Sequence, residues 1–174
     1  RRSGVCSTDL ATGHGLAGDT DPAAFGRLVA RARAAGALVV AATGSAGWLA
    51  DRGTAPFETA FGAASLVFAN LAEGRALTGL GPEHPPADVL AALAARFPDA
   101  VLTLGADGAL AAGTRGAAQI EPERVDALDP TGAGDAFAAG FLAAWVAGAS
   151  AQEALGSGAA LARRCIGRLG GRPE

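Results

Sequence analysis

One stretch of the chain, residues 129–135, reads DPTGAGD and stands immediately before a long apolar segment that runs to about Ala147. Phe137, Phe141 and Trp145 recur in this segment at intervals of four residues, which predicts a helix. The segment is apolar nearly all round, as is typical of a helix buried in the middle of a domain. The small residues before it leave the first backbone N–H groups of that helix open to a ligand. This stretch therefore predicts both the centre of the fold and a place where an anion binds.

Short apolar runs alternate with longer Ala-rich segments along the rest of the chain. The predicted strands are Leu38–Ala42, Ser65–Ala69, Val101–Leu104, and a hairpin of Ala109–Ala112 with Ala117–Ile120. The predicted helices are Pro22–Ala35, Ala55–Ala63, Asn70 to about Gly79, Pro86–Phe97 and about Ala151–Arg168. Alternation of this kind is typical of βαβ units. The sequence therefore predicts an α/β fold with a mostly parallel sheet.

The overall composition is that of a globular protein with a core of its own. The 174 residues are 50% hydrophobic and 18% charged, with a formal net charge of −3, so nothing indicates a nucleic acid or an anionic membrane as partner. No apolar run reaches membrane-spanning length without an Arg, Asp or Gly-rich interruption. Cys6 and Cys165 form no short-spaced motif, and two free thiols fit a reducing cytoplasm. We therefore predict a cytoplasmic protein.

The chain contains no Lys, because all fourteen of its basic residues are Arg. A phosphate-binding loop of the Walker type needs a Lys, so that class of site is excluded. Any phosphate bound by this chain must be met by backbone N–H groups, a helix dipole, Arg or a metal ion.

Three polar clusters each follow directly on an apolar, strand-like run. They are Asn70 with Glu73, residues 103–108 (TLGADG) and residues 129–135. The carboxyl ends of parallel strands lie along one edge of an open sheet, and ligands bind at that edge. We therefore expect three segments that are far apart in sequence to meet in one cleft.

The segment from Gly132 to Asp135 has the features of a phosphate site. Backbone amides of Gly132, Ala133 and Gly134 at a helix start would form an anion hole, and the helix dipole adds positive potential. A carboxylate beside that hole would repel phosphate, so Asp135 makes more sense as a general base that takes the proton of an attacking hydroxyl. The alternative is that Asp135 merely favours the first turn of a helix and that the glycines only make a turn.

Asn70 and Glu73 stand three residues apart, on one face of a predicted first helical turn. Glu73 could hold water around Mg²⁺, an ion that binds few protein carboxylates, and Asn70 could reach a phosphate oxygen. The alternative is a capping box, in which both side chains serve only the helix. In the cluster at residues 103–108, Gly105 and Gly108 allow a ligand to come close, although an Asp-Gly pair is equally an ordinary hairpin turn.

In this order, the three clusters resemble the ribokinase (PfkB carbohydrate kinase) family. Residues 129–137, DPTGAGDAF, are similar to the family's signature Asp-Thr-x-Gly-Ala-Gly-Asp. NLAE at residues 70–73, followed by LTG at residues 77–79, matches its Asn-x-x-Glu motif and the Leu-Thr-Gly downstream of it. Residues 103–108 resemble its Thr-Leu-Gly-x-x-Gly turn. The resemblance implies a ribokinase-like α/β fold, in which a doubly wound, mostly parallel sheet forms the middle of three layers.

The resemblance also implies roles in ATP binding and catalysis. Asp135 would be the catalytic base. The γ-phosphoryl group of ATP would be cradled by the amides of Gly132, Ala133, Gly134 and Asp135. The residues that would line the rest of the nucleotide are Asn70, Thr103, Gly105 and Gly108 at the phosphates and ribose, and Ala159 at the adenine.

Two cations are implied in the same way. Mg²⁺ would lie near Glu73. Asp129 and Thr131 match positions that hold an activating monovalent cation such as K⁺ in many members, and the loop around residues 168–170 would complete that site with backbone carbonyls.

The resemblance covers the carboxyl-terminal portion of a family member. Residues 1–174 would form a single ATP-binding portion, without the amino-terminal part that carries the substrate motif and a β lid, and the full-length protein could dimerise through that lid. We expect ATP-dependent phosphoryl transfer to a hydroxyl of a sugar, nucleoside or related small molecule, and we expect this portion to be inactive alone.

Other functions fit the sequence less well. The first alternative is a non-catalytic nucleotide-binding module, either a pseudokinase or a truncated product, but the intact Asp135 beside an intact anion hole favours descent from an active kinase. A purely structural α/β domain would not explain the three polar clusters. A dinucleotide oxidoreductase would need a third Gly after Gly132 and Gly134, and the chain has none at that place.

Overall fold

The computed structural model describes residues 8–12, 16, 20–121 and 131–167 of the chain. The chain divides into two compact units, Arg1–Leu102 and Thr103–Glu174, and each is described by itself. The prediction of one ATP-binding portion over residues 1–174 stays a prediction.

The first unit is built from parallel strands and the helices that connect them. Its strands are β1 Thr8–Thr12, β2 Leu38–Ala42, β3 Leu66–Asn70 and β4 Asp99–Thr103, the last of which ends on the first residue of the second unit. Its helices are α1 Pro22–Ala34, α2 Ala46–Arg52, α3 Ala55–Phe61, α4 Leu71–Thr78 and α5 Pro86–Ala94. β1 pairs with β2 and β2 with β3, both in parallel. The backbone N–H of Asp99 donates to the carbonyl of Ser65 (3.1 Å), so β4 begins beside the start of β3.

Local sequence signals explain where these elements begin and how deeply they are buried. Asp21 caps α1, because its carboxylate accepts the N–H of Ala23 (2.9 Å), and Pro22 follows at the first helical position. Val39, Val40 and Ala41 of β2 are each at most 2% exposed. A run of consecutive buried residues is typical of a strand that is covered on both faces.

The second unit contains a hairpin and two long helices. Its elements are a 3₁₀ turn at Gly105–Asp107, the strands β5 Ala109–Gly113 and β6 Gly116–Ile120, and the helices α6 Ala133–Val146 and α7 Ala151–Ile166. The two strands pair antiparallel with Gly113 opposite Gly116, which leaves Thr114 and Arg115 as a two-residue loop. Both glycines have positive φ angles, whereas Thr114 and Arg115 between them do not, so the flanking glycines take the backbone conformation that other residues rarely adopt.

Helices α6 and α7 pack with their backbones close together. A Cβ atom on Gly140 would lie 2.6 Å from the carbonyl oxygen of Ser157. A Cβ atom on Gly158 would lie 2.9 Å from the carbonyl oxygen of Phe137. The two helices can therefore approach this closely only because both positions lack a side chain.

The apolar side of α6 forms an aromatic row. Phe137, Phe141 and Trp145 are all buried, with ring centroids 6.5 Å apart in the first pair and 5.3 Å apart in the second. Arg115 of the hairpin loop covers the end of this row, with its guanidinium 3.9 Å from the centroid of the Trp145 ring. The same guanidinium donates to the carbonyls of Trp145 (2.6 Å) and Ala149 (3.0 Å) at the carboxyl end of α6. A cation stabilises a helix end there.

The predicted α/β class with a mostly parallel sheet is confirmed. The bounds of β2 are those predicted, whereas β3 is one residue further along and β4 begins two residues earlier than predicted. Two elements, β1 and α2, were missed by the sequence analysis. Among the helices of the described ranges, none has the length and apolar character needed to cross a membrane.

The contact between α6 and α7 gives a first prediction. Gly158→Ala should lower the free energy of unfolding by about 1–3 kcal/mol, because the new methyl group meets the backbone and ring of Phe137. Gly156→Ala is the matched control on the same helix, where a Cβ meets no atom within 4 Å. This control should raise stability by about 0.5–1 kcal/mol, since alanine favours a helix more than glycine does. Urea unfolding of both variants measures the difference, and equal effects would contradict the close contact.

The start of α7 gives a prediction on pH. The hydroxyl and the backbone N–H of Ser150 donate to the carboxylate of Glu153 (2.7 and 2.8 Å), and these bonds lower the pKa of Glu153 from its ordinary 4.5. The folded state therefore favours the ionised form, so this contribution to stability is present above about pH 4.5 and is lost as the pH falls through the lower folded pKa. Glu153→Gln should have a melting temperature that falls less between pH 7 and pH 3 than that of the wild type. If the melting temperatures of the variant and the wild type fell by the same amount between pH 7 and pH 3, this interpretation would be refuted.

Candidate functional site

The start of α6 is a helix end without a side-chain cap. Gly132 precedes the helix with a left-handed backbone (φ 78°), which glycine adopts without strain. No side chain among the described residues caps this end. The N–H of Ala136 donates to the carbonyl of Gly132 (2.9 Å), so the three amides before it, those of Ala133, Gly134 and Asp135, have no acceptor within the helix.

The surroundings of these amides are open. Gly134 and Asp135 are exposed, and a Cβ atom placed on Gly134 would meet no atom within 4 Å. Nothing in the described part of the chain donates to or pairs with the carboxylate of Asp135. Within the described residues, three N–H groups and a carboxylate without a hydrogen-bond partner thus stand together at the positive end of a helix dipole. Asp135 also occupies the first turn, where an acidic residue favours the helix, so the alternative interpretation accounts for its position but not for the missing cap.

The segment before α6 is only partly described. Thr131 is exposed, and its carbonyl accepts a hydrogen bond from the thiol of Cys165 (Sγ to O, 3.5 Å), a residue that is itself fully buried on α7. This bond ties the end of α7 to the turn before α6. Asp129 and the loop at residues 168–170 lie outside the described residues, so the predicted monovalent cation site stays a prediction.

Asn70 and Glu73 form the capping box that the sequence left as an alternative. The side chain of Asn70 accepts the N–H of Glu73 (2.9 Å), and the Oε2 atom of Glu73 accepts the N–H of Asn70 (3.0 Å). The box explains the spacing of the two residues. It occupies one oxygen of the Glu73 carboxylate, and the Oε1 atom accepts no hydrogen bond from the described residues. The carboxylate can therefore cap the helix and still meet a ligand.

A buried threonine completes this cluster and was missed by the sequence analysis. Thr43 follows β2 directly, is 1% exposed, and its hydroxyl oxygen lies 2.5 Å from Oε2 of Glu73. A sequence signal existed, because Thr43 is a polar residue placed immediately after a buried strand, as the three predicted clusters are. A single threonine without a glycine-rich or acidic neighbour did not stand out.

The remaining residues that were predicted to bind the nucleotide lie on the second unit. Thr103 ends β4, Gly105 opens the 3₁₀ turn with φ 63°, and Gly108 closes it with φ 92°. The N–H of Leu104 donates to the carbonyl of Gly108 (2.8 Å), which makes this a closed loop. Ala159 is half-buried on α7, next to the glycine that packs against α6. The predicted meeting of all three clusters in one cleft stays a prediction.

The donor set fits Mg²⁺ held chiefly by water and phosphate. Within the described ranges, no three His, Cys, Asp or Glu side chains come together as a metal-binding group. A cage made of protein ligands is therefore absent from that part of the chain, and the Oε1 atom of Glu73 is a single carboxylate oxygen without a donor among the described residues. Mg²⁺ keeps several of its waters and is bound by one or two carboxylates together with substrate phosphates.

The capping box gives a prediction for stability. Asn70→Ala should lower the free energy of unfolding by about 1 kcal/mol, because the N–H of Glu73 loses its acceptor. Asn70→Asp is the control, since aspartate offers the same acceptor at the start of a helix. Thermal or urea unfolding of the two variants measures this. If both lost stability equally, the amide group rather than the cap would be what the fold requires.

The chain is similar in sequence to known proteins. The model of the "pfkB family carbohydrate kinase" matches residues 46–174. The chain is 34% identical over 122 residues to the ATP-dependent ribose-1-phosphate kinase of Halopiger xanaduensis, an alignment that covers 69% of this chain and 38% of that protein.

Solved structures share the fold. Adenosine kinase from Sinorhizobium meliloti superposes with a TM-score of 0.84 at 25% identity, over 96% of this chain and 51% of that one. A PfkB protein from Polaromonas sp. JS666 superposes with a TM-score of 0.72 at 27% identity, over 91% of this chain and 53% of that one. The chain thus spans about half the length of these structures. The predicted ribokinase-like fold is confirmed, and the chain belongs to the pfkB family of carbohydrate kinases.

Proposed function

We propose that this chain is the ATP-binding portion of a kinase that transfers a phosphoryl group to a hydroxyl of a sugar or a sugar-containing small molecule, with Asp135 as the general base. The observation that carries the proposal is the start of α6. An uncapped helix end with an open position at Gly134 lies beside an exposed carboxylate that has no described partner. Membership of a carbohydrate kinase family supports the same chemistry.

The reaction requires a phosphate to be held and a hydroxyl proton to be removed. The amides of Ala133, Gly134 and Asp135 would donate hydrogen bonds to the γ-phosphoryl oxygens as charge redistributes, with Gly132 turning the backbone toward them. A carboxylate oxygen of Asp135 would take the proton of the acceptor hydroxyl. The hydroxyl oxygen then bonds to the γ-phosphorus, the bond between that phosphorus and the β-phosphate oxygen breaks, and ADP leaves.

The rest of the nucleotide would be bound by groups that need little side chain. Gly105 and Gly108 carry no Cβ atom, so at these two positions of the loop after β4 a phosphate or ribose could lie against the backbone. Asn70 and Thr103 would add polar contacts. The methyl group of Ala159 offers no hydrogen bond, so an adenine there would be held by apolar contact alone.

Two cations are part of the proposal. Mg²⁺, when bound, would neutralise charge on the phosphates, and Glu73 would hold its water through Oε1. Asp129 and Thr131 would take part in a site for a monovalent cation such as K⁺.

The substrate class is proposed from the relatives. The matched proteins are named as kinases of ribose-1-phosphate and of adenosine. Both names describe a molecule that contains a ribose, so an acceptor hydroxyl on a sugar ring or its hydroxymethyl group is the class that we propose.

The decisive experiment is calorimetric titration of Mg-ATP into the chain and three variants. Gly134→Val should abolish binding and leave the fold intact, because the new side chain enters open space where the phosphate would lie. Ala139→Val is the matched control, since it adds bulk to an exposed position of the same helix, away from its first turn. Asp135→Asn should bind Mg-ATP at least as tightly as the wild type, because it removes a negative charge beside the phosphate.

Each other outcome has a defined meaning. Loss of binding in Asp135→Asn would make Asp135 a ligand rather than a base. Equal loss in Gly134→Val and Ala139→Val would remove the specific role of the first turn. A folded wild-type chain that does not bind Mg-ATP would overturn the proposed function. In any active kinase that contains this chain, Asp135→Asn should slow phosphoryl transfer by roughly 10²–10⁴-fold.

A further inference from the structure

Thr43 joins the end of one strand to the start of the helix that follows the next strand. Its backbone N–H donates to the carbonyl of Phe68 in β3 (3.1 Å). Its hydroxyl oxygen lies 2.5 Å from Oε2 of Glu73 and 3.4 Å from the same Phe68 carbonyl. The shorter contact defines the bond, so the hydroxyl proton goes to the carboxylate. Thr43 is 1% exposed and Glu73 is half-buried, so this is a partly buried hydrogen bond to a carboxylate at the end of a strand.

The two carboxylate oxygens of Glu73 differ in the hydrogen bonds that they accept. Oε2 accepts from the hydroxyl of Thr43 and from the N–H of Asn70 (3.0 Å), so it has two donors from separate segments of the chain. Oε1 has no donor among the described residues. A carboxylate fixed through one oxygen presents the other in a defined direction.

The capping box at α7 is an internal reference for a purely structural role. There, Glu153 receives its hydrogen bonds from Ser150 alone, and the group is wholly exposed. At α4 the additional donor is Thr43, which directly follows β2 and is thirty residues away in sequence. A helix cap does not require such a donor, since the α7 box forms without one.

We propose that Thr43 is a positioning residue for the metal, whose hydroxyl holds Glu73 so that Oε1 faces the water shell of Mg²⁺ bound with ATP. This inference rests on the proposed function. Groups that orient a metal ligand contribute about 10–100-fold to metal affinity or activity. The contribution of Thr43 should therefore appear only when the metal is present.

The test compares ATP binding by the full chain with excess Mg²⁺ and with excess EDTA. The dissociation constant in EDTA divided by the dissociation constant in Mg²⁺ measures how much Mg²⁺ strengthens ATP binding. Thr43→Val keeps the shape of the side chain but removes the hydroxyl, and it should reduce this ratio by roughly 10-fold or more while the metal-free affinity stays unchanged. Thr43→Ser restores a hydroxyl and should restore the ratio. Ser45→Ala is the matched control, because it removes the cap of α2 two residues away, a cap that bonds to Trp48 and not to Glu73.

Several outcomes would overturn the inference. It fails if Thr43→Val leaves the ratio at the wild-type value, or if Thr43→Val weakens metal-free and metal-bound ATP equally. It also fails if Ser45→Ala lowers the ratio as much as Thr43→Val does, since any local loosening would then suffice. A wild-type chain that binds ATP with no help from Mg²⁺ removes the role of Glu73 but leaves ATP binding in place. A wild-type chain that binds no ATP in either buffer refutes the proposed function, and this inference with it.

Discussion

The close approach of the α6 and α7 backbones is the constraint on which the second unit depends. Gly140 and Gly158 let the helices touch, and Gly158 lies against the backbone of Phe137, in the second turn of α6. One further contact acts at the same end, where the thiol of Cys165 bonds to the carbonyl of Thr131. The turn before α6 and its first amides are thus held from α7. A ligand site at this helix end would owe its rigidity to residues that do not touch the ligand.

Arginines in this chain bind carbonyl oxygens near the ends of helices. Arg33 donates to Ala63, Arg96 donates to Leu77, and Arg115 donates to the end of α6. Each of these carbonyls lies in the last turn of a helix or just beyond it, where the regular helical N–H donors are missing. In a chain without Lys, these guanidinium groups serve the fold. The free N–H groups of α6 are therefore the strongest candidates for holding a phosphate in the described part of the second unit.

The sequence predicted elements whose signals are local. Helix α1 has its Asp cap, its Pro and its closing Gly within the segment, and β2 is a continuous apolar run, so both were located closely. Helix α2 has a serine cap, but its short, glycine-containing segment carries no clear period. The sequence predicted the start of β4 two residues too late, because Asp99 resembles a loop residue. In the structure, the backbone N–H of Asp99 bonds to Ser65.

In the candidate site, too, the residues with a local signal were predicted, and the contacts between elements were not. Gly132, Gly134 and Asp135 were predicted because a motif and a helix start coincide in one segment. The bond from Thr43 to Glu73 was not predictable, because it depends on the register that sets Ala42 opposite Phe68 across two strands. The bond from Cys165 to Thr131 likewise depends on the packing of α7 against α6. Patterns within a segment give the residue types of a site, whereas contacts across elements decide how each side chain is held.

The uncapped start of α6 also has a consequence for entropy. The groups that would meet an anion there belong to the main chain of a packed helix, and they have no rotamers to lose on binding. A lysine in the same role would give up about 1.5–2 kcal/mol of side-chain freedom. Recognition by such a turn is preorganised, so the ordering cost of binding falls chiefly on the ligand. A chain without Lys can in this way hold phosphate through shape, with partial charges set in place by folding.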